Sequence, residues 1–245
     1  MRALVVLPSY NESENIAALL RAILATAPEF SACVVDDNSP DGTAAVVREL
    51  CSSGLDPQDS GRVHLIVRAK KEGRGGAVRA GIEWGLARPE FDAVVEMDCD
   101  FSHPPSDLSR GLALLNDADV VMGCRYPDGT VVGWPLRRRV LSFVANLVAR
   151  ILVRWSIHDY TNGFRFYTRR AARLICATPQ RHTGYIYLSE TITVFLKHGM
   201  KIACFPIVFV NRKRGVTNTG VREVAAAFAG ILQIAFQYHF GGRSR

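Results

Sequence analysis

The sequence predicts an α/β fold, a mostly parallel sheet with helices on both faces. Two observations lead there. Short, nearly continuous Val/Ile/Leu runs alternate with helical patterns through the first half of the chain, and strands of that kind are buried on both faces. Polar residues then gather where the runs end, and the carboxyl ends of the strands are where such sheets bind ligands.

The elements follow in order. Strands are predicted at Ala3–Leu7, Ala32–Asp36, Val63–Arg68, Ala93–Met97 and Val120–Gly123. Helices are predicted between them at Glu14–Ala25, Thr43–Cys51, Gly76–Ala87 and Asp107–Asn116. Ser52–Arg62, rich in Gly, Ser, Asp and Pro, reads as a surface loop. A break near Pro127–Trp134 leads into a more helical second half. There the pattern predicts a long helix over Arg137–Trp155, a polar loop over Ile157–Gly163, and a helix over Ser189–His198. A strand over Lys201–Val210 and an amphipathic helix over Val221–Phe240 complete the chain.

Composition narrows the partners. At 245 residues the chain is long enough for one sizeable domain with a short appendage. A formal net charge of +7 suits anionic partners: nucleic acid, acidic lipid or phosphorylated substrate. The six cysteines form no CxxC pair, which favours reduced thiols. Cys33, Cys99, Cys124 and Cys204 lie in or beside apolar runs and are expected to be buried. The N-terminus shows no signal-peptide pattern, and no apolar stretch reaches the ~18 to 20 residues that span a bilayer.

Four polar clusters should meet on one rim of the sheet: Pro8-Ser9-Tyr10-Asn11-Glu12, Asp36–Thr43, Asp98-Cys99-Asp100 and Arg125-Tyr126. Asp98 and Asp100 stand two apart at a strand end, and hard cations such as Mg²⁺ or Mn²⁺ take oxygen ligands of this type. A solvated acidic loop is the plain alternative. The neighbouring Asp36-Asp37 pair strengthens the metal reading, because crowded carboxylates call for a cation. Gly73-Arg74-Gly75-Gly76 resembles a phosphate-cradling turn but matches neither established glycine pattern. His103 reads as a structural loop residue.

Five motifs occur in sequence: PSYNE at 8–12, DDNSPDGT at 36–43, GRGGA at 73–77, DCDFSHPP at 98–105 and GCRY at 123–126. GWPLRR at 133–138, DYTNGFR at 159–165, Gly184-Tyr185 with Glu190, and Phe209, Arg212, Gly215 and Thr217 follow. The series resembles the dolichol- or polyprenol-phosphate mannose synthases, within the family 2 glycosyltransferases of the GT-A, Rossmann-like fold. The resemblance runs from residue 4 to about 218 and implies a catalytic unit over 1–218 and an amphipathic helix over 219–245. DDNSPDGT together with DxDxxHPP is its most specific part.

That resemblance implies residue roles. Pro8, Tyr10, Glu12, Val35 and Asp37 would hold the nucleoside, and Asp98, Cys99 and Asp100 would face the donor diphosphate. Asp98 and Asp100 would hold Mg²⁺ or Mn²⁺, with Ser102 at a position where some relatives carry a ligating Gln. Arg212 would approach the diphosphate, and Asn218 stands where relatives commonly have Lys. Arg125, Arg138 and Ser142 would take the acceptor phosphate, for which planar guanidinium forks are well matched. Asp100, Arg125, Arg138 and Ser142 would thus sit at the reacting centre. A solvated or lipid-facing edge is the alternative for Arg137 and Arg139.

The implied reaction transfers mannose from GDP-mannose to polyprenyl or dolichyl phosphate with inversion. UDP-glucose as donor is the alternative enzyme reading. A basic lipid- or nucleic-acid-binding module is the non-enzyme one, resting on charge alone, and the resemblance implies no nucleic acid. The helix over about 136–156 carries Val140, Phe143, Val144, Leu147, Ile151 and Leu152 at helical spacing among arginines. Such helices lie in an anionic headgroup region, or pack on the sheet. The expected location is therefore peripheral, on the cytoplasmic face of a membrane, with a membrane anchor subunit as a further partner.

Overall fold

The computed structural model describes residues 1–53, 61–182, 184, 186–211 and 221–240, with side chains in the last segment from residue 229. The strands are β1 (Ala3–Ser9), β2 (Phe30–Asp36), β3 (Val63–Val67), β4 (Ala93–Glu96), β5 (Val120–Cys124), β6 (Thr130–Val132), β7 (Arg165–Thr168), β8 (Ile202–Pro206) and β9 (Val208–Val210). The helices are α1 (Ser13–Thr26), α2 (Thr43–Ser53), α3 (Arg74–Leu86), α4 (Leu108–Leu114), α5 (Leu136–Leu152), α6 (Arg169–Ala177), α7 (Tyr187–Lys197) and α8 (Val221–Phe240).

The main sheet has the order β3-β2-β1-β4-β7-β5-β8, and β7 is its antiparallel member. β6 and β9 pair in parallel as a small second sheet. Side-chain alternation decides which core each strand residue joins. Along β1, Ala3, Val5 and Leu7 pack on the face covered by α1 and α4, whereas Leu4 and Val6 pack on the face covered by α3 and α7. α1 meets the first face with Ile16, Leu19, Leu20, Ile23 and Leu24, a 3.6-residue stripe. Gly111 of α4 lies against the Phe166 ring, so any side chain there would collide with it.

The first five strands and four helices stand where the apolar runs predict them, within a few residues at each end. The second half differs. β7 is four residues long and carries Arg165, so it has no apolar run to announce it. α6 is rich in arginine and is capped by the Thr168 hydroxyl, which accepts from the Ala171 N–H at 3.3 Å. The single strand expected over Lys201–Val210 is two: β8 ends at Pro206, and β9 leaves the main sheet to pair with β6. Cys33, Cys99 and Cys124 are buried as expected, but Cys204 is exposed, because β8 is an edge strand with one face uncovered.

Two features of this topology position the site. The chain builds β1, β2 and β3 outward in one direction, then returns to place β4 on the other side of β1. The β1/β4 junction is therefore a topological switch point, where the carboxyl ends of a doubly wound sheet open a crevice. Because β7 runs antiparallel, the loop before it, residues 157–164, reaches the same rim as the ends of β4 and β5.

Candidate active site

Asp98 and Asp100 follow β4 and stand at the switch point, both side chains half-buried. Cys99 between them is turned inward, its thiol directed to the Pro8 carbonyl at 3.4 Å. Burial and then the charges of Glu12, Asp98 and Asp100 push that thiol well above its ordinary range, so no thiolate competes at the rim. Asp100 Oδ1 accepts the Ser102 N–H at 3.0 Å, and this turn is closed by Phe101 at a φ of 61°. A left-handed phenylalanine is costly, by about 1–2 kcal/mol. Asn11 and Asn38, the other non-glycine residues of positive φ among those described, lie in neighbouring rim loops.

His103 is buried and structural. The Asp98 N–H can only donate, so His103 Nδ1, 3.2 Å away, accepts it. Nε2 therefore carries the proton and donates to Asn162 Oδ1 at 2.8 Å, and Asn162 Nδ2 donates to the Gly123 carbonyl at 2.5 Å. The imidazole stacks on Phe164 with centroids 5.1 Å apart. One chain of hydrogen bonds thus ties the end of β4 to the end of β5 and fixes their spacing.

The nucleoside-side candidates lie along β1, β2 and the loops after them. Tyr10 is exposed, with Lys71 Nζ 3.7 Å from its ring centroid. Glu12 sits between the Asn15 amide (2.8 Å) and the turn before α2, where its own N–H reaches the Thr43 hydroxyl at 3.0 Å. Pro8 is half-buried, and Val35 is wholly buried in the core, paired between Pro8 and Ile66 in the sheet. Asp36 and Asp37 divide their tasks. Asp36 accepts the Ser39 N–H (2.9 Å) and hydroxyl (2.5 Å), closing its own turn. Asp37 is buried and paired with Arg68 at 2.8 Å. The cation that this acidic pair calls for is therefore supplied by the protein, and the pair is no argument for a metal there. Arg212 and Asn218 lie outside the described residues.

On the other side of the crevice, Arg125 is buried and doubly bonded to Asp159, from Nε and Nη2 at 2.8 Å each; Nη2 also reaches the Thr161 hydroxyl at 2.6 Å. Burial pushes the Asp159 carboxyl up, but the Arg125 charge and hydrogen bonds outweigh it and hold the group below its ordinary range. Burial works against the Arg125 charge in turn, and Asp159 more than restores it. The guanidinium carbon stands 5.4 Å from the Trp134 and Phe209 ring centroids. Arg138 is half-buried, stacked 4.0 Å from the Trp134 ring centroid and bonded to Asn211 Oδ1 at 3.3 Å. Arg137 and Arg139 beside it are exposed.

Around these arginines, three buried polar atoms have no hydrogen-bond partner among the described residues: the Tyr126 hydroxyl, Trp134 Nε1 and the Ser142 hydroxyl. A buried donor left unsatisfied costs about 1–3 kcal/mol, so three together mark a place where a polar group is expected. The structure thus gathers Arg125 and Arg138 around the Trp134 ring, and Arg125 and the Ser142 carbonyl around Thr161 and Asn146, while the His103–Asn162 bonds tie Asp98 to the end of β5 that precedes Arg125. Five residues of the network carried no role in the sequence reading: Arg74, Glu96, Asp159, Asn162 and Tyr187. Glu96 did carry a signal, since a carboxylate inside the apolar run Ala93–Met97 requires a buried partner.

The carboxylates fit a hard divalent cation. Among the described residues no cluster of three or more His, Cys, Asp or Glu side chains forms a metal cage. Two aspartates at a crevice mouth, with no sulfur ligand beside them, suit an ion whose remaining ligands come from phosphate and water. A Rossmann-like sheet with such a pair at its switch point is the architecture of a GT-A glycosyltransferase.

The comparisons agree. The model of glycosyl transferase family 2 matches residues 4–175. The polyprenol monophosphomannose synthase of Mycolicibacterium smegmatis is 40% identical over 227 residues, covering 91% of this chain and 83% of that one. The undecaprenyl-phosphate mannosyltransferase of Micrococcus luteus is 37% identical, covering 88% and 86%. The crystal structure of Mycobacterium tuberculosis glucosyl-3-phosphoglycerate synthase, in complex with Mn²⁺, uridine diphosphate and glucosyl-3-phosphoglycerate, superimposes with a TM-score of 0.67. It is 18% identical, with 99% of this chain and 81% of that one covered. This chain belongs to glycosyl transferase family 2, and it is a glycosyltransferase.

Proposed function

We propose that the enzyme transfers mannose from GDP-mannose to a polyprenyl or dolichyl phosphate, with inversion at the anomeric carbon. The observation that carries the acceptor assignment is the cluster of Arg125 and Arg138 around Trp134, with the Tyr126 hydroxyl, Trp134 Nε1 and the Ser142 hydroxyl unpartnered among the described residues. It offers cationic forks and hydrogen-bond donors to a phosphate head. The two mannosyltransferase relatives support the same acceptor class and sugar.

Asp98 and Asp100, with Ser102 close by, would hold Mg²⁺ or Mn²⁺, which neutralises a departing diphosphate when bound. Asp37, Tyr10, Glu12, Pro8 and Val35 would line the nucleoside side. Arg138 and the Ser142 hydroxyl bind and orient the acceptor phosphate. Arg125 supports it from behind, held in place by Asp159. A phosphomonoester is largely ionised near neutral pH, its second pKa being about 6. The attacking oxygen therefore needs no side chain as general base, and the work left to the residues is alignment and charge compensation.

The catalytic unit spans 1–218 in this reading, with 219–245 as an appended amphipathic helix. The lipid tail sets the orientation. Leu136, Val140, Phe143, Ile151 and Trp155 of the α5 segment, and Leu232, Phe236 and Phe240 of α8, are each more than half exposed. Arg137, Arg139 and Arg154 are exposed on the same segment as the first group. This surface would lie on an anionic membrane face, cytoplasmic in the present reading, with or without an anchor subunit. No helix among the described residues is long and apolar enough to cross a membrane.

Two variants test the assignment. Asp98→Ala should abolish transfer, with circular dichroism and the melting transition retained. Arg138→Ala should raise the apparent KM for polyprenyl phosphate about tenfold or more while changing the donor KM little. Equal effects on both constants would refute the acceptor role.

A further inference from the structure

Arg74 opens α3, and its guanidinium is wedged between two carboxylates. Nε and Nη2 donate to Asp98 Oδ1 at 3.0 and 2.6 Å, while Nη1 donates to Glu96 and to the Tyr187 hydroxyl. Glu96 is wholly buried, and its second oxygen accepts the Tyr167 hydroxyl at 2.9 Å. Glu96 and Arg74 thus form a buried ion pair in which each compensates the other. Gly163 leaves the room that the guanidinium fills, since a side chain there would collide with it.

We infer that Arg74 is a positioning residue for the divalent cation: it engages Asp98 Oδ1 with two N–H groups and so holds the carboxylate in one orientation at the crevice. The inference rests on the reading of Asp98 and Asp100 as the metal carboxylates. Its logic is that of an outer-shell partner, which orients a ligand. Glu96 has the complementary task. By compensating the guanidinium charge, it leaves Asp98 its full charge for the cation. A lysine at 74 would keep the charge but lose the fork that spans both carboxylates.

The test is Mn²⁺ affinity, read from the free-ion electron paramagnetic resonance signal, with saturating GDP and, in parallel, UDP. Arg74→Lys and Glu96→Gln should each weaken Mn²⁺ binding by about tenfold or more, the usual range for outer-shell changes. In an Asp98→Asn background, where Asp100 and the diphosphate leave residual affinity, Arg74→Lys should change nothing further. Unchanged or tighter binding in both single variants overturns the inference, as does an undiminished Arg74→Lys effect in the Asp98→Asn background. If the wild-type protein shows no Asp98-dependent Mn²⁺ binding with either nucleotide, the metal reading itself falls and the inference with it.

Discussion

Asp41 holds two helix starts at once. Its Oδ2 accepts the Ser13 N–H at 3.0 Å, the first residue of α1, and its Oδ1 accepts the Thr43 N–H at 3.0 Å and hydroxyl at 2.6 Å, the first residue of α2. Burial raises its carboxyl slightly, but the Thr43 and Ser13 hydrogen bonds win and lower it to about 2. A folded value below the unfolded one of about 3.9 means that the carboxylate stabilises the fold above that pH. The contribution is lost as the pH falls toward 2. Asp41→Ala should therefore cost about 1 kcal/mol at neutral pH, the ordinary value of a cap, and progressively less between about pH 4 and 2. Urea denaturation at several pH values checks this, and a constant difference would contradict it. Asp41 also shows what single residues reveal unaided. DDNSPDGT reads as a ligand loop, yet Asp36 and Asp41 in it build turns and caps. Residue type and spacing located the rim; only the fold distinguishes carboxylates facing a ligand from those facing the protein.

At the scale of elements, the long apolar periods of α1 and the continuous strands β1, β2 and β5 are set by burial alone, so their pattern is visible locally. β7 and α6 are not, because arginines occupy them and their partners come from elsewhere in the chain. Arg165, wholly buried, bonds the carbonyls of Tyr160 and Asn162 in its own motif and of Leu188, which no motif marks. For α5 the pattern was legible but its direction was not, since an apolar stripe serves a core and a bilayer equally well. The structure turns Val140, Phe143 and Ile151 outward and leaves Asn146 and Ala149 buried. Ile151→Glu combined with Phe236→Glu should reduce sedimentation with anionic vesicles about tenfold, while transfer to a short, dispersed polyprenyl phosphate continues. Undiminished sedimentation would place the membrane contact elsewhere on the molecule.

For the whole molecule, the chain order of the motifs becomes a spatial circuit around one crevice. In the proposed reading the ends of β1 and β2 would form the nucleoside side, the end of β4 the metal-facing edge, and the end of β5 with α5 the phosphate side, next to the exposed apolar residues of α5. Donor and acceptor would thus approach from opposite sides, the lipid from the membrane face. The motif series carried that circuit because PSYNE, DDNSPDGT, DCDFSHPP and GCRY sit at the ends of β1, β2, β4 and β5. Arg74, Asp159 and Asn162 stood inside the quoted motifs, but their partners, Glu96 among them, lie far away in sequence and are revealed only by the fold. The central claim is the identity of the product. Purified protein should be incubated with Mn²⁺, a short polyprenyl phosphate and equimolar GDP-mannose and UDP-glucose, and both the lipid mass and the released nucleotide identified. The account predicts a hexosyl lipid accompanied by GDP, abolished by EDTA; a hexosyl lipid accompanied by UDP, or no lipid product, would contradict it.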